Sequence, residues 1–166
     1  MPADRAASIL ARFNAAHNFL VARLRELPPR LAERGGDNAW SAAQIGCHVA
    51  MANDWTADVL LGTSPVAKGV SEDFQEELDL GAVAWNAKTF PLDPPDVISC
   101  DHAVERLRSS AHHLSKAIAS LTTERGTRYA ATLPIGTLSL FQLAEYAVAH
   151  VARHSAQLGQ NGEKSY

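Results

Sequence analysis

Four segments of the chain repeat apolar residues at alternating intervals of three and four positions, the rhythm that keeps side chains on one face of an α-helix. The residues on these four apolar stripes are Leu10, Phe13, His17, Leu20, Leu24 and Leu27; Ile45, His48, Ala52, Trp55 and Val59; Val104, Leu107, Ala111, Leu114, Ile118 and Leu121; and Leu140, Leu143, Ala147, His150, His154 and Gln157. Amphipathic helices of similar length bury such stripes by packing together. The sequence therefore predicts an all-α fold, a four-helix bundle.

The second and fourth predicted helices begin with the same motif. Ser41 is followed by Gln44, and Ser139 by Gln142, and apolar residues flank both pairs. In a capping box of this kind the Ser hydroxyl accepts from the backbone N–H of the Gln, and the Gln side chain accepts from the backbone N–H of the Ser. These motifs predict where the two helices start. Gly159 is the expected C-terminal cap of the fourth helix.

The link between the second and third helices, residues 62–95, is rich in glycine and proline and far longer than a usual helix–helix connection. Its length predicts a crossover after which the third helix, beginning near Asp101, runs parallel to the second. The shorter link over residues 122–138 favours an antiparallel return, which places the fourth helix opposite the second. Within the crossover, residues 72–90 could hold a short helix that ends near Trp85.

Length and composition favour a single domain. The chain has 166 residues, of which 46% are hydrophobic, enough for one core without disulfides. We expect this domain over residues 1–160, followed by a flexible tail at 161–166. Cys47 and Cys100 form no disulfide framework and are expected to be reduced. Because the sequence shows neither a signal-peptide pattern nor an apolar run long enough to span a bilayer, we predict a cytoplasmic protein.

The charge pattern narrows the class of partner. The formal net charge is −3, and the lysines and arginines are scattered along the chain. Proteins that bind nucleic acid or an anionic membrane concentrate basic residues in a patch or stripe. We therefore expect no nucleic-acid partner and no membrane partner, and predict that the protein acts on a small molecule.

Histidines occupy positions on the stripes where an apolar residue is usual. His150 and His154 are four residues apart on one helix, so both rings can reach one ion, although this spacing alone is a weak signal. His48 lies at a matching level on the opposed helix. Three buried imidazoles without partners would be costly, and a divalent metal removes that cost. Neutral imidazoles suit Zn, Ni, Fe or Cu, and three protein ligands leave a coordination position open for water or substrate.

Three motifs together resemble a known family. They are the Trp-Ser-x-x-x-Ile-x-x-His run from Trp40 to His48, the Gly-Thr-Leu-Ser-Leu run over residues 136–140, and His150-x-x-x-His154. This combination looks like the DinB/YfiT-like superfamily. The resemblance implies an up-down-down-up bundle, a three-histidine metal site at His48, His150 and His154, and often a homodimer. It also implies activities that range from transfer of low-molecular-weight thiols to hydrolysis or isomerisation, and it does not imply DNA binding.

Several other residues on or near the stripes are candidates for functional or structural roles. His17 is either a fourth ligand or supporting group, or a histidine at the edge of the core that is hydrogen-bonded to a side chain or to water, which is the preferred interpretation. Cys47 is either a reactive thiol or a small apolar filler, and the filler is the preferred interpretation. Tyr146 and Gln157 lie one turn from the ligand histidines, where each could orient a ligand, contact substrate or simply pack. Trp40 is expected to be the hydrophobic staple of the second helix.

These observations leave four hypotheses for the function. The first is a metal-dependent enzyme of the thiol S-transferase or hydrolase type, for which the sequence does not identify a general base. The alternative is a non-catalytic ligand-binding or stress-related module with a structural metal. A haem held between His48 and a histidine of the fourth helix is a third, although the chain has no C-x-x-C-H motif. The last is a polar core without metal.

Overall fold

The computed structural model describes residues 2–36, 39–77 and 92–163, and most of them lie in helices. In chain order the helices are α1 (Pro2–Glu26), α2 (Pro29–Ala32), α3 (Ala42–Leu61), α4 (Cys100–Ala119), α5 (Thr123–Arg128) and α6 (Leu140–Glu163). The four long helices are those predicted from the apolar stripes, so the predicted helical bundle is confirmed. The stripes do not predict α2 and α5, because one or two turns are too short to show a period.

The long helices pack in a ring in which α4 and α6 each contact both α1 and α3. Five contacts reveal the directions of these helices. Two join α1 and α4, Leu24–Cys100 and Asn14–Ser115. Two join α3 and α4, Gly46–Ala103 and Asn53–Ser110, and one, Arg5–Glu145, joins α1 and α6. The first two pairs run in opposite senses along the chain, and the next two run in the same sense. The last joins the N-terminal ends of α1 and α6. These directions agree with the up-down-down-up order, in which α6 lies beside α3 and runs antiparallel to it.

The predicted starts of α3 and α6 are both present. In each capping box the backbone N–H of the Gln donates to the Ser hydroxyl, at 3.1 Å for Gln44 and Ser41 and at 3.0 Å for Gln142 and Ser139. The reciprocal bonds from the Ser backbone to the Gln side chain are also made. The predicted cap at Gly159 is wrong, because α6 continues through it to Glu163. A glycine costs a helix about 1 kcal/mol relative to alanine, which does not force the helix to end.

Three short strands, which the all-α prediction did not include, form an antiparallel sheet in the order β1-β2-β3. They are β1 (Lys68–Gly69), β2 (Tyr129–Leu133) and β3 (Gly136–Ser139). β2 and β3 are joined by a tight turn, and Gly136 adopts a φ of 133° that other residues rarely adopt. β3 ends at the residue that caps α6, so the sheet fixes the position from which α6 starts.

The short helix predicted within residues 72–90 lies mostly outside the described residues. Residues 72–77 contain no helix, and the remainder, with Trp85, falls in the undescribed range 78–91. The predicted tail overlaps the last turn of α6, so the domain boundary at residue 160 stays a prediction. Among the helices of the described ranges, none combines the length and the apolar character needed to cross a bilayer.

Candidate metal centre

The facing surfaces of α3 and α6 carry three buried histidines. His48 lies in the first half of α3, whose register is set by the capping box at Ser41. His150 and His154 follow each other by one turn on the same face of α6. The exposed fractions of His48, His150 and His154 are 4%, 5% and 7%. The antiparallel packing of the two helices therefore brings the three residues predicted from the sequence to one level.

The three imidazoles converge through their Nε2 atoms. The Nε2 of His150 lies 3.2 Å from the Nε2 of His48 and 3.2 Å from the Nε2 of His154. One ligand atom from each of the three residues lies within 4.8 Å of the other two. The ring planes of His48 and His150 are inclined by 62°, and those of His150 and His154 by 82°. The rings therefore meet in T-shaped arrangements around a common point instead of stacking on one another.

The opposite ring nitrogens of two of these histidines are hydrogen-bonded. The Nδ1 of His48 lies 2.8 Å from the carbonyl oxygen of Leu92, and the Nδ1 of His154 lies 2.8 Å from Oε1 of Gln157. Both partners are acceptors, so each Nδ1 carries the proton. In a neutral imidazole the other nitrogen then has a free lone pair. His48 and His154 consequently direct two lone pairs toward His150.

Burial keeps the three imidazoles neutral. It lowers the pKa of His48 and opposes the raising effect of the hydrogen bond to Leu92. It lowers the pKa of His154 to about 4, against the raising effect of Gln157. The pKa of His150 falls well below its usual range, first through burial and then through the neighbouring His154 and His48. Near pH 7 all three rings are in the form that binds metals.

The spacing of the Nε2 atoms fits a first-row divalent ion. Zinc–imidazole bonds are about 2.0–2.1 Å long, so two imidazole nitrogens on a tetrahedral ion lie roughly 3.3 Å apart. The observed separations of 3.2 Å match that value. Without a cation, the single Nε2 proton that a neutral His150 can carry satisfies only one of the two lone pairs directed at it. The donor set therefore suits an ion such as Zn, Ni, Fe or Cu better than a metal-free polar core.

His17 lies on the first stripe but does not join this group. Its Nε2 is 3.0 Å from the carbonyl oxygen of Leu107, to which it donates. Across the described ranges, His48, His150 and His154 are the only group of histidine, cysteine and acidic residues close enough to share an ion. α1 packs chiefly on α4 and α6, which directs the ring of His17 to α4. The fourth-ligand hypothesis is not supported. His17 is a structural histidine, as preferred, but it is buried and its partner is a backbone carbonyl instead of the expected side chain or water.

The residues predicted to lie beside the metal face differ in their contacts. Gln157 hydrogen-bonds the ligand His154, whereas Tyr146 is buried and stacks on His150 with ring centroids 6.4 Å apart and planes inclined by 23°.

Cys47 is buried, and burial raises the pKa of its thiol, which agrees with a filler role. Trp55 is partly buried and packs against the core, as expected.

Sequence reasoning missed two contacts of His48. Trp40, predicted only as a staple, places its ring 5.0 Å from that of His48 while its side chain remains 36% exposed. A tryptophan about two turns before a ligand is a signal that could have been used. The second contact is the carbonyl of Leu92 at the end of the crossover. It leaves no trace in the sequence, because every residue carries a carbonyl.

A bundle in which imidazoles from opposed helices meet at one point defines a class of candidate metal-binding helical proteins. Within that class, the chain belongs to the DinB superfamily, whose sequence model matches residues 33–158. The match covers most of the chain, including α3, α4, most of α6 and all three converging histidines. It confirms the resemblance found in the sequence. No curated protein matches the chain.

Proposed function

We propose that this protein is a metal-dependent enzyme that acts on a small molecule, by thiol transfer or by hydrolysis, and that His48, His150 and His154 hold one divalent ion. The observation that carries the proposal is the convergence of three neutral imidazoles, in which the Nε2 of His150 lies 3.2 Å from the Nε2 atoms of both His48 and His154. Three protein ligands are the number found in catalytic zinc sites, which keep a position for water or substrate. Zn, Ni and Fe all suit this donor set.

The surrounding residues have separate roles in this proposal. A bound ion supplies Lewis acidity, which activates water or a thiol or polarises a carbonyl group. The Leu92 carbonyl and the Gln157 side chain hold two of the rings with their Nε2 atoms inward. Trp40 flanks His48 and is partly exposed, so its ring offers a surface on which an arriving substrate can pack.

A second candidate function is a binding module with a structural metal. The observation in its favour is the near-complete burial of the three histidine side chains, which resembles closed structural sites more than open catalytic ones. In this alternative the ion stabilises the pairing of α3 with α6, and a small ligand binds without reaction. The two candidates share the metal site and differ in whether bound substrate is converted.

The metal site is tested by elemental analysis of protein purified without an affinity tag. We expect one divalent ion per chain in the natural protein and none in either His48→Ala or His150→Ala. Circular dichroism of both variants checks that they remain helical. A natural protein that is free of metal, and that binds none when Zn, Ni or Fe is added, would contradict the proposal.

The enzyme and the binding module are separated by turnover. Metal-loaded protein is incubated with panels of thiol conjugates, esters and amides, and with low-molecular-weight thiols as co-substrates. The enzyme proposal expects product formation that chelation abolishes and metal restores. If no panel member is converted, while some raise the melting temperature, the binding module is the correct function.

A homodimer and a cytoplasmic location remain predictions beside this proposal. Light scattering of the purified protein at several concentrations measures the first, and fractionation of producing cells measures the second. Neither result alters the test of the metal site, because all three proposed ligands belong to one chain.

A further inference from the structure

The Nδ1 atoms of His48 and His154 have hydrogen-bond partners of different kinds. His48 donates from Nδ1 to a backbone carbonyl, that of Leu92, which no side-chain substitution removes. His154 donates from Nδ1 to a side chain, that of Gln157, at 2.8 Å. Gln157 lies three residues later on α6, where the geometry of a helix brings it beside the ring. The orientation of His154 thus depends on one replaceable side chain.

We infer that Gln157 is a positioning residue that fixes His154 as the Nδ1–H tautomer and thereby aims its Nε2 lone pair at the point shared with His48 and His150. Outer hydrogen bonds of this kind set both the tautomer and the ring orientation of a metal-binding histidine. The effect on metal binding rests on the proposed function. The tautomer itself does not, because it follows from the hydrogen bond alone.

The location of Gln157 makes the inference testable without disturbing the fold. Its side chain is exposed on the last part of α6, whereas His154 is buried. Replacement by methionine keeps the length of the side chain and a high helix propensity but removes the acceptor. Replacement by glutamate keeps an oxygen acceptor at the same distance from the backbone. Ala156→Met is the matched control, since it adds the same side chain at the neighbouring exposed position.

The first measurement uses metal-free protein. Nitrogen-15 NMR of the imidazoles at neutral pH distinguishes the Nδ1–H from the Nε2–H tautomer of His154. We expect the Nδ1–H form in the natural protein, in Gln157→Glu and in Ala156→Met, and loss of that preference in Gln157→Met. An Nε2–H form in the natural protein would mean that Gln157 presents its amide NH2 group instead, and would overturn the inference. An unchanged tautomer in Gln157→Met would also overturn it.

The second measurement is metal affinity, determined for zinc by competition with a chromogenic chelator. Gln157→Met should lower the affinity by about 10- to 100-fold, whereas Gln157→Glu and Ala156→Met should stay near the natural value. Equal affinities in all four proteins would refute the positioning role. If the tautomer changes as expected but no protein binds metal, the proposed function fails and the assignment of Gln157 stands.

Discussion

Four buried histidines lie on the apolar stripes of this bundle, and they fall into two regions that differ in what their ring nitrogens face. At the interface of α3 and α6, the Nε2 of His150 faces the Nε2 atoms of His48 and His154, each at 3.2 Å. At the interface of α1 and α4, the Nε2 of His17 faces the carbonyl oxygen of Leu107 at 3.0 Å. Burial is similar in the two regions, and it lowers the pKa of all four rings.

The difference shows that burial on a stripe does not make a histidine a ligand. A nitrogen that already donates to a carbonyl has no lone pair to offer, so the Nε2 of His17 is unsuited to bind a cation. In the other region the Nδ1 atoms of His48 and His154 make the hydrogen bonds, so their Nε2 lone pairs point inward. The direction of the hydrogen bonds separates a candidate metal site from a structural histidine, and the following predictions test that distinction.

The largest expected contrast is in metal affinity. His150→Asn should weaken zinc binding by at least roughly 1,000-fold, because losing a ligand exceeds the roughly 10- to 100-fold cost of losing a supporting hydrogen bond. His17→Asn should leave the affinity near the natural value. Competition titration of both variants measures the effect. A comparable loss in the two variants would remove the distinction between the two regions.

The second contrast is the pH dependence of stability in metal-free protein. The pKa of His154 is lowered to about 4 in the folded protein. Between about pH 6.5 and pH 4, this histidine therefore binds a proton in the unfolded chain but not in the folded one. Stability present above about pH 6.5 should therefore be lost as the pH falls toward 4, by on the order of 3 kcal/mol for His154 alone. Urea unfolding at a series of pH values measures this loss. His154→Asn should flatten the profile more than His17→Asn, and equal flattening would contradict the prediction.

Metal addition should stabilise the natural protein through linkage. At a free ion concentration of about 100 times the Kd, the free energy of unfolding rises by about 2.7 kcal/mol. For a chain of this length that corresponds to a rise in melting temperature of roughly 5–10 °C. Thermal melts with zinc and with chelator should show the shift in the natural protein and in His17→Asn, but not in His150→Asn. A shift retained in His150→Asn would place metal binding elsewhere.

The smallest expected effect belongs to the structural histidine. His17→Leu removes one hydrogen bond to the carbonyl of Leu107, which still accepts from the hydroxyl of Ser110 at 2.9 Å. We expect a loss of about 1 kcal/mol in the free energy of unfolding, since the carbonyl stays satisfied. The loss should be the same with and without metal. A dependence on metal, measured by urea unfolding, would link His17 to the candidate site.

Features encoded in local spacing were predicted well. The stripes predicted the four long helices, and the Ser-x-x-Gln motifs at Ser41 and Ser139 predicted two starts that the hydrogen bonds confirm. The strands were not predicted, because they are too short to show a period. The short helix predicted within residues 72–90 lies mostly outside the described residues. Gly159 was misjudged because a glycine permits a helix end without requiring one.

The grouping of His48, His150 and His154 followed from the sequence, because the spacing of four and the matching levels on opposed helices are properties of the chain itself. Tertiary structure alone decided which ring nitrogens face inward. The carbonyls of Leu92 and Leu107 come from segments distant along the chain and have no side-chain signature. A hydrogen bond to such a group fixes the tautomer, and the tautomer determines whether a buried imidazole offers a lone pair or a proton.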